Sequence, residues 1–79
     1  MKEQDIRQAL ITVFTQDDIT IDLQGNSASI TVISAAFANQ TTVKRQQMVY
    51  GAITKLIQGG RLHAVSIQAY TPDEARNKF

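Results

Sequence analysis

The sequence predicts an α+β domain, a three-stranded mixed sheet with helices packed on one face. Three observations carry this expectation. Two segments with period-two alternation flank a Gly-Asn turn, and a longer segment with helical periodicity ends at Gly59-Gly60. A third alternating segment then runs straight into Thr71-Pro72-Asp73-Glu74, which is a helix start.

In chain order, the first element reads as a helix. Ile6, Leu10, Val13 and Phe14 recur at spacings of four, three and one, with Ile11 flanking the stripe. Thr15 to Asp18 is a polar break. Ile19, Ile21 and Leu23 alternate with Thr20 and Asp22 as in a half-buried strand. Gln24-Gly25-Asn26-Ser27 supplies turn chemistry, because Gly and Asn tolerate positive φ at low cost. A second strand follows with Ile30 and Val32 on one face, and the two strands form a predicted hairpin. Ala35-Ala36-Phe37 suits a short turn of helix. From Val43 to Ile57 the pattern is helical, with Val49, Tyr50, Ile53, Leu56 and Ile57 on one side. Lys44, Arg45 and Lys55 take the other sides, and the glycine pair ends the helix. Leu62 to Tyr70 is the third strand, with Val65, Ile67 and Ala69 on one face. Because it follows a helix rather than a tight turn, it is free to run parallel to an earlier strand. Thr71 caps the last helix, Pro72 takes its first position, and Glu74 completes a T-x-x-E capping box. The order is αββααβα, or αββαβα if the short middle helix does not form.

Composition narrows the function. The 79 residues allow one domain, 1–79, with 43% hydrophobic content and no cysteine. A chain this short buries only about 60% of its unfolded surface, which leaves little slack for a large internal pocket. The absence of cysteine removes disulfides, thiolate metal sites and cysteine nucleophiles together. The formal charge is +1, but it divides. Residues 1–38 set Lys2 and Arg7 against five carboxylates, a balance of −3, whereas residues 39–79 set six cations against Asp73 and Glu74, a balance of +4. The opening residues are too polar for a signal peptide and no apolar run reaches membrane-spanning length, so the expected location is the cytoplasm, with no membrane partner.

Few residues carry chemistry. His63 is the single imidazole, hence the one nitrogen ligand or near-neutral acid–base group. By parity it falls on the face of Val65 and Ile67, at the edge where the third strand begins. It is either a functional group at an element edge or a packing histidine bonded to a backbone carbonyl. One histidine does not make a metal site, so any metal bound here needs ligands from outside the chain. Asp17-Asp18 and Asp73-Glu74 have structural explanations, in a loop and in a helix first turn. Gly51, Gly59 and Gly60 fit neither G-x-G-x-x-G nor a P-loop. The chain does not read as an enzyme. Lys44, Arg45, Lys55 and Arg61 are either a solvated face or a small patch for phosphates or an acidic partner. The helical pieces within 35–57 are weakly similar to a helix-turn-helix.

Val43-Lys44-Arg45-Gln46-Gln47-Met48-Val49-Tyr50-Gly51, Arg61-Leu62-His63-Ala64-Val65-Ser66-Ile67 and Ala69-Tyr70-Thr71-Pro72-Asp73-Glu74 together resemble the BolA-like family, most closely its IbaG (YrbA) branch. The resemblance is dense over residues 43–74 and extends to the whole chain in element order. It implies a class II KH-like topology, in agreement with the αββααβα reading, although the G-x-x-G loop with which KH domains grip nucleic acid does not occur. It also implies a non-enzymatic partner of monothiol glutaredoxins with the CGFS motif, in iron–sulfur cluster assembly and trafficking. The implied cofactor is a [2Fe–2S] cluster shared with the glutaredoxin cysteine and glutathione, with His63 as this chain's metal ligand. Imidazole in place of thiolate removes negative charge and raises the reduction potential, as in Rieske centres.

Three departures from the family pattern stand out. Gln24-Gly25-Asn26-Ser27-Ala28-Ser29 lacks the His or Cys that the family often carries between strands one and two. Ala75 stands where Trp usually follows T-P-x-E, and Phe37-Ala38-Asn39 replaces F-x-G. The alternative expectation is a DNA-binding, stress-associated transcriptional regulator contacting phosphates through Lys44, Arg45, Lys55 and Arg61. A third is an interaction module that forms a homodimer through a sheet edge.

Overall fold

The computed structural model describes residues 2–15, 17–60 and 62–78. Its elements are α1 (Glu3–Ile11), β1 (Asp18–Gln24), β2 (Ser27–Ile33), a single 3-10 turn (Ala35–Phe37), α2 (Thr42–Gln58), β3 (Ala64–Tyr70) and α3 (Pro72–Lys78). The strands lie in the order β1-β2-β3, with β1 antiparallel and β3 parallel to β2. This is the α+β architecture expected from the sequence, with the third strand returning parallel after the long helix.

Gly25 opens the hairpin turn at φ +61°, the Gly-first arrangement that matches the right-handed twist of the flanking strands. That two-residue turn sets the register, pairing Gln24 with Ser27 and Ile21 with Ile30. Ile19, Ala28, Ile30 and Val32 therefore face the helices and are buried, while Thr20, Asp22, Ser29, Ser66 and Gln68 lie on the exposed face. Ile6 and Leu10 of α1, Val49 and Ile53 of α2, and Phe14, Phe37 and Leu62 complete the core. The Phe14 and Phe37 rings meet at 5.4 Å between centroids, tilted by 49°.

Two expected core positions lie outside it. Val13 continues the α1 stripe in sequence, but the helix ends at Ile11 and Val13 is 55% exposed. Tyr50 is 46% exposed, because the buried side of α2 centres on Val49 and Ile53 and the next residue turns to its flank.

Capping follows the sequence closely. The Thr41 hydroxyl accepts the Lys44 N–H at 3.1 Å to start α2. Gly60, at φ +73°, takes the left-handed position after its C-terminus and donates its N–H to the Ile57 carbonyl. At α3 the capping box is complete. Thr71 N–H donates to Glu74 Oε1 at 2.9 Å, and Glu74 N–H donates to Thr71 Oγ1 at 3.2 Å. Asn39 stands at φ +63°, so asparagine carries a left-handed turn at the position where F-x-G would place glycine. Ala75, at the usual Trp position, is buried.

Side chains reach backbone carbonyls at both sheet edges. Arg7 Nη1 donates to the Ile19 carbonyl of β1 at 3.0 Å. On the other edge, Gln46 Nε2 reaches the Ile67 carbonyl and Arg45 Nη1 the Ala69 carbonyl, each at 3.4 Å. Even-numbered residues of β3 bond to β2, as the Ser34 N–H to Tyr70 carbonyl bond at 2.9 Å shows. The odd-numbered carbonyls thus point to the free edge, where α2 side chains cover two of them.

Candidate functional site

β3 starts at Ala64 rather than at Leu62, so His63 lies one residue before it rather than within it. Its backbone N–H donates to the Asn26 carbonyl at 2.8 Å, and the Ala64 N–H approaches the same oxygen at 3.5 Å. The entry to β3 is thereby clipped to the hairpin turn between β1 and β2. The histidine is exposed, and no described residue hydrogen-bonds its imidazole. The packing alternative, a ring bonded to a backbone carbonyl, does not describe it: the backbone of residue 63 is tied down and the ring is presented outward.

The hairpin turn is the segment in which the family often places a second soft ligand. Here it offers the Gln24 and Asn26 amides and the Ser27 hydroxyl. No group of three or more His, Cys, Asp or Glu side chains close enough to hold a metal occurs among the described residues. An iron–sulfur cluster would find in this chain one imidazole and, in the described hairpin turn, neutral amide and hydroxyl groups. The donor set fits one ligand position, not a whole site. A shallow cleft of about 380 Å³ on the open sheet face, lined by Asp22, Gln24, Ser27 and Ser66 among others, does not include His63.

The described members of the four cations proposed for phosphate contact are not equivalent. Lys44 and Lys55 are exposed on α2. Arg45 is not available. Its guanidinium forms a fork with Glu74, Nη1 to Oε1 at 2.6 Å and Nη2 to Oε2 at 3.1 Å, while Nε donates to the Gln40 carbonyl at 3.0 Å. Its side chain is only 14% exposed, so its donors are spent joining α2, β3 and α3. This corrects the sequence expectation: Arg45 is structural. Arg61 lies outside the described residues. The segment before α2 is a single 3-10 turn, too short to be the first helix of a helix-turn-helix.

The Arg45–Glu74 clamp is the contact that sequence reasoning missed. Glu74 was legible as the capping-box carboxylate, but nothing in the sequence marks its second partner 29 residues away. The Arg45 hydrogen bonds, with that from the Thr71 backbone N–H next, hold the Glu74 carboxyl down at a pKa of about 2.

A family model described as BolA-like protein matches residues 15–74. The acid stress protein IbaG of Escherichia coli (strain K12) is 32% identical over 74 residues, covering 94% of this chain and 88% of that protein. Among solved structures, a bolA protein homologue from Coxiella burnetii superposes with a TM-score of 0.81 at 28% identity, covering 96% of this chain and 97% of that one. BolA1 from Arabidopsis thaliana superposes with a TM-score of 0.80 at 24% identity, covering 90% and 92% of the two chains, and supports the fold. Among the described residues, no helix is long and apolar enough to cross a membrane.

Proposed function

The chain belongs to the BolA-like protein family, and from that premise we propose that it is a non-enzymatic cytoplasmic partner of a monothiol glutaredoxin in iron–sulfur cluster assembly and trafficking. The observation that carries this reading is the exposed His63 imidazole, held at the clipped junction of hairpin turn and β3 with no partner among the described residues. A cysteine-free chain has no thiolate to give, so the [2Fe–2S] cluster is cargo in a shared site. The glutaredoxin cysteine and glutathione supply the sulfur ligands, and His63 supplies nitrogen. What this chain does there is limited. It presents one imidazole at a position fixed by the Asn26 carbonyl, and it offers no second soft ligand from the turn.

The test is co-expression with a monothiol glutaredoxin, followed by visible absorption and circular dichroism of the purified complex. The expected result is a coloured heterocomplex whose spectrum changes, and whose cluster becomes less stable, in His63→Ala. Absence of a complex, or an unchanged cluster spectrum in the variant, refutes the assignment. The DNA-binding reading retains Lys44 and Lys55 among the described members of its proposed patch. It predicts a log–log salt slope of about −2 to −3, depending on Arg61, and a flat response removes it.

A further inference from the structure

We propose that the outer surface of α2 is a docking site for an acidic amphipathic helix of a partner protein, independent of the cluster reading. Gly51 is the tenth of seventeen residues in α2, far from either cap. Glycine is the least favourable residue inside a helix apart from proline, and here the fold does not require it, since a Cβ built at Gly51 meets nothing within 4 Å. Its missing side chain instead joins two hollows. One, of about 350 Å³, lies towards β3 and contains Val43 and Tyr50. The other, of about 440 Å³, lies towards α1 and contains Val13. Val43 is 67% exposed, and these three are among the four large apolar residues exposed in the described chain. Together they form an apolar trough across α2 with its saddle at Gly51.

Charge and backbone identify the occupant. α2 contains no carboxylate. Lys44 and Lys55 share a stripe with Gly51 to within about 40° around the helix, and stand about 16 Å apart along it. Two copies of this chain packed α2 to α2 would bring these lysines together, which disfavours a second copy. An extended segment would need the free edge of β3, but Gln46 and Arg45 already cover its Ile67 and Ala69 carbonyls. A helix has no such need. Its backbone is internally bonded, and its apolar ridge can settle into the trough where the absent Cβ allows close approach. Carboxylates on its two flanks would meet Lys44 on one side and Lys55 on the other.

The probe is a synthetic peptide of about 20 residues with leucine along one helical face and glutamate on both flanks. A counterpart carries lysine on the flanks. Each is titrated into the isotopically labelled full chain and followed by amide chemical shifts. We expect the acidic peptide to shift Val13, Lys44, Tyr50, Gly51 and Lys55, and the basic peptide not to. Gly51→Leu, which fills the saddle with a good helix former, should weaken binding about tenfold with the circular dichroism spectrum retained. Lys44→Glu with Lys55→Glu should exchange the preference between the two peptides. Absence of binding up to about 1 mM, or equal binding of both peptides, overturns the proposal. So does unchanged affinity in Gly51→Leu. Concentration-dependent shifts of the chain alone at these residues would show a second copy in the trough instead. Shifts confined to the lysines on adding a short DNA duplex, with no response to the acidic peptide, would assign the stripe to phosphate.

Discussion

Replacing Gly51 by alanine should stabilise this protein, and the size of the effect follows from the surroundings of the position. Gly51 lies inside α2, away from both caps, and its backbone φ is not positive. The added methyl enters open space, with nothing within 4 Å, so no repacking cost offsets the gain. What remains is the difference between glycine and alanine in a helix interior, about 0.5–1 kcal/mol, arising chiefly from lost freedom in the unfolded chain. In a domain of 60–100 residues each kcal/mol is worth about 4–8 °C, so Gly51→Ala should raise Tm by about 2–8 °C. Far-UV circular dichroism melts of dilute wild type and variant measure it directly. Urea titration should show a higher midpoint with an unchanged slope. The same exchange at Gly25, held at φ +61°, should lower stability by about 1–2 kcal/mol, because alanine is strained in the left-handed region. A Tm that falls or stays level in Gly51→Ala would refute the reasoning. It would mean that the position is covered in the free protein, or that α2 is not regular there.

Other expectations follow from the same structure. Glu74 should titrate near 2 rather than near its ordinary 4.5, because the Arg45 guanidinium and the Thr71 N–H favour its charged form. The stability it contributes is therefore present above about pH 4.5 and lost as pH falls through about 2, and carboxyl NMR titration reads the midpoint directly. Glu74→Gln should flatten that segment of the stability–pH curve and speed amide exchange in α3. Ile30→Ala removes a fully buried side chain from the central strand and should cost about 2–5 kcal/mol, measured by urea unfolding. His63→Ala should leave the unfolding free energy within about 0.5 kcal/mol of wild type, because the exposed ring has no described partner. A large loss of stability in that variant would contradict the placement of the imidazole.

Most of the fold was legible because local rules and the global packing agree. Ile19-Thr20-Ile21-Asp22-Leu23 alternates as a one-faced strand must, and Gly25 supplies the positive φ that fixes its register with β2. The T-x-x-E box formed as the sequence predicts because all of its bonds lie within four residues. Readings that extended a local pattern past its cause were less accurate. Val13 keeps the helical spacing of Ile6 and Leu10, yet the helix has already ended. Tyr50 neighbours a core residue in sequence but sits on the flank of α2. Asn39 shows the converse, since the departure from F-x-G puts a non-glycine residue in a left-handed turn that asparagine tolerates.

The sequence by itself determined the class of fold, the order of elements, the family and the presence of a single imidazole. Those properties depend on periodicity, capping chemistry and residue inventory, all of which are written along the chain. Only the tertiary structure decided what each exposed group is free to do. It clipped His63 to Asn26, took Arg45 out of the cationic surface by pairing it with Glu74, and left Gly51 as an open saddle between two apolar hollows. Each of these depends on groups far apart in sequence meeting across packed elements, and such meetings have no local signature. Lysine and arginine are alike as charges in a composition. In the folded chain Lys44 faces solvent, while Arg45, the next residue, points into the protein.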